Sequence, residues 1–88
     1  MAKTVELAID VPTVVSGIAE QYKLKLPSKI VMFQFDDSAD TLYVHFQYPA
    51  KNVDSKIVDE HGEIIIGLNE NQKIVNLTII NASTYCLV

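Results

Sequence analysis

A short acidic turn set between two β-rich runs constrains this chain more than any other feature. In Phe35-Asp36-Asp37-Ser38-Ala39-Asp40-Thr41-Leu42-Tyr43-Val44-His45-Phe46, small polar residues that hydrogen-bond nearby backbone sit between β-branched and aromatic residues. From Thr41 to Tyr48 the side chains alternate, with Leu42, Val44, Phe46 and Tyr48 inward and Thr41, Tyr43, His45 and Gln47 opposite. The run before the turn, Ile30 to Phe35, puts Val31, Phe33 and Phe35 on one side and Ile30 and Met32 on the other. The rhythm continues downstream. Val53 to Val58 reads as a weaker strand near an edge, Asp59-Glu60-His61-Gly62 as a turn, and Ile64-Ile65-Ile66 as a strand covered on both sides. Asn69 to Gln72 turns the chain again, and Ile74 to Ile80 forms the last long strand.

Upstream, Val5, Leu7 and Ile9 alternate with Thr4, Glu6 and Ala8 in a half-buried strand pattern. At Asp10 the period changes: Val11, Val14, Val15, Ile18, Ala19 and Tyr22 fall on one face of a helix. Asp10 suits the amide donors of the first turn, Pro12 is tolerated there, and Pro27 forces the chain out beyond Lys23 and Lys25. The predicted fold class is α+β, with one amphipathic helix packed on a mainly antiparallel meander sheet of four to five strands. Residues 1–88 are expected to form a single domain: a strand and helix extension over 1–26 and a β-meander core over 27–88.

Composition narrows the function classes. With 49% hydrophobic residues in 88 positions, the chain can build one core without metals or disulfides. Its formal charge is -4, and every basic residue is a lysine. An acidic chain without arginine argues against direct nucleic-acid binding, which needs cations for phosphates and arginine for bases. No apolar run approaches the ~20 residues that span a bilayer, and the first residues lack a long uncharged apolar stretch, so the expected localisation is cytoplasmic. Cys86 stands alone and reads as a small apolar packing residue. Asn76-Leu77-Thr78 and Asn81-Ala82-Ser83 match the glycosylation tripeptide, by coincidence in a cytoplasmic protein.

The chemical constellations are thin. Asp36, Asp37 and Asp40 are the densest acidic group, but they lack the central glycine and twelfth-position glutamate of a calcium loop, so turn formation explains them better. His45 and His61 have no ligand pattern around them for zinc. Lys23, Lys25 and Lys29 suit a helix end and a soluble surface. No glycine-rich phosphate loop exists among three scattered glycines. Hence no catalytic, cofactor-binding or metal-binding residue is assigned, and no cofactor is expected.

Taken in order, Ala39-Asp40-Thr41-Leu42-Tyr43-Val44, Asp54-Ser55, Asp59 through Gly62 leading into the isoleucine strand, and Ile74-Val75-Asn76-Leu77-Thr78-Ile79-Ile80-Asn81-Ala82-Ser83 resemble a small prokaryotic family. It is the family catalogued as domain of unknown function 2283, with the core of the likeness over roughly Val31 to Ser83. Phe35 stands where the family usually has tyrosine, Asn76 where glycine is common, and Asn81 where aspartate is common. The resemblance implies a compact α+β domain with no established enzyme activity, and for some members a small toxin-like partner, hence an antitoxin-like role. The function expected is a non-catalytic protein-interaction module that forms a homodimer or larger homo-oligomer through its sheet and binds a small protein partner. The alternative is a small enzyme or ligand-binding protein with a polar pocket around Asp40, Asp54 and Ser83. A pocket joining those three would favour the alternative; a bare sheet edge or apolar patch would favour the interaction module.

Overall fold

The structure is a computed structural model that describes residues 11–27, 29–47 and 53–86. The strand read over Thr4 to Ile9 lies outside the described residues, as do Tyr48, Pro49, Leu87 and Val88. Helix α1 spans Val11–Tyr22 and buries Val11, Val14, Val15 and Ile18, the face its 3.6-residue period defines. It stops without a glycine. Lys23 takes the left-handed conformation at φ 56°, and the Leu24 N–H donates back to the Ala19 carbonyl at 2.9 Å, the bond that closes a Schellman end.

Five strands follow: β1 (Met32–Asp36), β2 (Thr41–His45), β3 (Asp54–Ile57), β4 (Ile64–Leu68) and β5 (Ile74–Ile80), then a short helix α2 (Ala82–Cys86). They form one antiparallel sheet in the order β1-β2-β5-β4-β3. The fold class is therefore the α+β arrangement expected. The strands are grouped as a β1–β2 hairpin and a β3–β4–β5 meander, joined where β2 pairs with β5. Side-chain chemistry explains the grouping. β5 buries Val75, Leu77 and Ile79, so it takes the centre, whereas all four residues of β3 are exposed and suit only an edge.

The core lies between α1 and one face of the sheet. Leu42, Val44 and Phe46 meet Ile64, Ile66, Leu77 and Ile79 there, under Val11, Val14, Val15 and Ile18. Thr41 is buried although its alternation puts it on the other face, because its hydroxyl donates to the Ala39 carbonyl at 3.0 Å in the preceding turn. A register shift at Gly67/Leu68 pairs Leu68 with Ile74 and brings Ile74 against the core cluster. Strict alternation would have put Ile74 on the opposite face; the bulge reverses it. The face without a helix consequently carries Met32, Gln34, Tyr43, His45, Asn76, Thr78, Ile80, Ile65 and Ile57 in cross-strand rows. Among the described residues, no helix is long and apolar enough to cross a membrane.

Candidate functional site: a polar knot at one end of the sheet

The polar residues that stand out in the sequence converge where β5 ends. Asp40 closes the β1–β2 turn in a left-handed conformation, φ 51°, which a short carboxylate side chain tolerates. Its carbonyl accepts the Ala82 N–H at 2.8 Å. Its carboxylate accepts the Ser83 N–H at 3.0 Å and the Ser83 hydroxyl at 2.6 Å. One residue thus takes three donors from the start of α2. Asn81, also left-handed at φ 59°, makes the sharp turn from β5 into α2 and donates from Nδ2 to Glu63 Oε2 at 2.5 Å.

Glu63 carries the network across to the β3–β4 turn. Its carbonyl accepts the Ile80 N–H at 2.7 Å. Its own N–H donates to Asp59 Oδ1 at 2.8 Å, and the Ile64 N–H reaches the same oxygen at 3.0 Å. Burial pushes the Asp59 carboxyl up, but the Ile64 and Glu63 amides and the nearby His61 outweigh it, so its pKa stays below the ordinary carboxylate value. Asp59 Oδ2 is buried without a partner among the described residues. Gly62, at φ 73°, supplies the left-handed position this turn needs.

The acidic turn is held by its own residues. Asp36 Oδ1 accepts the Ser38 hydroxyl at 2.9 Å and the Ala39 N–H at 3.2 Å. These bonds, Ser38 first, lower the Asp36 pKa. Asp36 therefore serves the turn and Asp40 serves α2. Among the described residues no three His, Cys, Asp or Glu side chains are grouped to hold a metal ion.

Asp40 and Ser83 meet, but Asp54 does not join them. Asp54 pairs with Leu68, which pairs with Ile74 at the start of β5, whereas Thr41, next to Asp40, pairs with Ile80 at its end. The length of β5 separates the two groups, about 20 Å at ~3.3 Å per strand residue. Ser83 donates its proton to a carboxylate whose oxygens already serve as a cap, and no imidazole or amine contacts it in the bonds described. The arrangement fixes backbone; it does not activate a nucleophile. An open cleft of about 520 Å³ at the other turn is lined by Gln21, Tyr22, Val58, Asp59, Glu60 and His61, so none of the three borders it.

The sequence does not single out Glu63 or Asn81 as partners. Pairing Ile64 with Ile79 sets Glu63 opposite Ile80, the residue just before Asn81.

Residues 32–83 match the family described as protein of unknown function (DUF2283). The chain belongs to that family. The match opens on the first residue of β1 and closes on Ser83, the serine that Asp40 holds, so it comprises the whole sheet and the knot, while α1 precedes it. No curated protein and no solved structure matches this DUF2283 chain.

Proposed function

We propose that this DUF2283 protein is a non-catalytic interaction module that self-associates through its sheet as a two-fold dimer and offers the same surface to a small protein partner. One observation carries the reading: among the described residues, the large apolar side chains left in water belong to the sheet. Met32 and Phe33 on β1, Tyr43 on β2 and Ile57 on β3 are 43%, 46%, 37% and 59% exposed. Helix α1 covers one face only, and Met32, Phe33 and Tyr43 lie together on the paired strands β1 and β2, the kind of exposed apolar group that marks an interaction surface.

The enzyme alternative loses its support in the geometry, because Asp54 stands a strand's length from Asp40 and Ser83. Light scattering between about 1 and 100 µM, which spans micromolar dissociation constants, tests the proposal. A mass twice the 9.8 kDa chain is expected; a mass of one chain throughout refutes it.

A further inference from the structure

We infer that two copies join edge to edge through β1, each β1 pairing antiparallel with that of the second copy about a two-fold axis at Gln34. The inference rests on the self-association proposed above and names its contact. Among the described residues the sheet order leaves β1 and β3 as edges. The register then shows which backbone groups of β1 point outward. The Phe46 N–H donates to the Val75 carbonyl at 2.9 Å, and in an antiparallel ladder this direction alternates residue by residue. Phe46, Val44 and Leu42 thus direct their backbone groups at β5, and Thr41, Tyr43 and His45 direct theirs at β1. Those three pair with Asp36, Gln34 and Met32. The residues left pointing their N–H and C=O groups away from the sheet are Phe33 and Phe35.

A two-fold axis at Gln34 sets Phe33 opposite Phe35 of the second copy, and Phe35 opposite its Phe33. Each opposed pair consists of outward-pointing residues, so the junction gains about four hydrogen bonds. The side chains agree with the backbone. Phe33 and Phe35 share the face of Val44 and Leu42, so every Phe33 gains an aromatic cross-strand neighbour. That explains why Phe33, although on the helix side, is 46% exposed in one copy. An apolar cleft of about 320 Å³ lined by Val11, Ile30, Val31, Met32 and Phe33 runs beside it.

Charge permits the contact. Asp36 is the one charged residue of β1 and opposes Met32 of the second copy, so no carboxylate meets another. The strand MFQFD has no lysine and no proline, and its register with β2 is regular from Met32 to Asp36. The one irregularity is the Val31 N–H, which donates to the His45 carbonyl ahead of the strand, so the strand itself lacks the usual devices that block strand addition. The other edge, DSKI, carries Asp54 and Lys56.

Cysteine cross-linking in a Cys86→Ser background reads the contact directly. At the axis Gln34 opposes its own counterpart at a non-hydrogen-bonded position, where Cα atoms lie ~4.5 Å apart, within disulfide reach. Gln34→Cys should oxidise to a covalent dimer, while Ile57→Cys on β3 and Tyr43→Cys on the helix-free face should not. Phe33→Pro deletes an N–H that the sheet does not use; it should leave the circular dichroism unchanged and raise the dimer dissociation constant by about tenfold or more. A dimer that cross-links through Tyr43→Cys or Ile57→Cys instead overturns the β1 contact yet leaves self-association standing. A one-chain mass at every concentration overturns both. Cross-linking of Gln34→Cys that begins only after residues 1–10 are deleted assigns the edge to the chain's own Thr4–Ile9 segment and overturns the second-copy contact.

Discussion

Removing the Asp40 carboxylate tests whether the knot is structural, and its cost can be built from the geometry. Asp40→Ala deletes two accepted hydrogen bonds, from the Ser83 N–H and hydroxyl. Both lie at an exposed site, so each is assigned the lower half of the usual range, about 0.5–1 kcal/mol. Alanine must also occupy φ 51°, a left-handed conformation that aspartate visits more readily than alanine, which adds about 1 kcal/mol. The sum is about 2–3 kcal/mol. Asp40→Gly loses the same bonds but suits the left-handed backbone, so it should cost only about 1–2 kcal/mol. Ser83→Ala removes the hydroxyl bond alone and should cost about 1 kcal/mol. Because the hydroxyl's partner is Asp40, the double variant Asp40→Ala/Ser83→Ala should be no less stable than Asp40→Ala, a coupling of about 1 kcal/mol. Urea unfolding followed by far-UV circular dichroism measures all four, with a slope of ~1 kcal/mol/M for a domain of this size. Strictly additive losses, or equal losses for the alanine and glycine variants at residue 40, would refute the reasoning.

Two further perturbations probe separate parts of the fold. A Cβ on Gly67 would overlap the Asn76 side chain, which lies directly over it; Gly67→Ala should lower stability by about 1–3 kcal/mol, and Asn76→Gly should recover most of that loss in the double variant, with a lack of recovery in urea midpoints counting against the contact. The Asp59 pKa is lowered in the folded state, so its contribution is present above the unfolded value of ~3.9 and disappears as pH falls through the lower folded value. The stability gap between wild type and Asp59→Ala should accordingly narrow between about pH 5 and pH 2, and a gap constant over that range would show that the carboxylate's charge contributes nothing.

Periodicity made the elements legible. The helical spacing from Asp10 to Tyr22 corresponds to α1, and the strand read over Ile74 to Ile80 is β5 residue for residue, because both bury one regular face against the same core. What periodicity does not encode is pairing. β2 could lie beside β3 or β5 with its own alternation unchanged; the choice depends on which strand can be buried on both flanks. The face of Ile74 is hidden from alternation for a related reason, since a bulge is a property of two strands in register and leaves no mark in one. Helix α2 is five residues long, too short for an amphipathic repeat, and its cap comes from a residue 43 positions away. Of the candidate trio, Asp40 and Ser83 do meet, as the cap of α2 rather than as a pocket. Asp54 was grouped with them through motif order alone, and motif order carries no distance.

The knot also bears on what membership of DUF2283 can say about activity. Asp40, Asn81 and Ser83 belong to the motifs that carry the resemblance, and each has its polar capacity taken up within the fold: a left-handed turn, a cross-strand amide, a helix cap. Asp59 Oδ1 and Glu63 Oε2 are engaged in the same way on the other turn. Residues used like this specify an architecture, and an architecture is compatible with many functions. On the proposed interaction reading, partner choice would reside in side chains the knot does not use, which among the described residues are the exposed ones of β1, the helix-free face and β3. Substitutions there leave the core untouched, so they can alter association while the fold persists. Substitutions in the knot act in the opposite sense, weakening every surface together by loosening the turns that hold the strands in register.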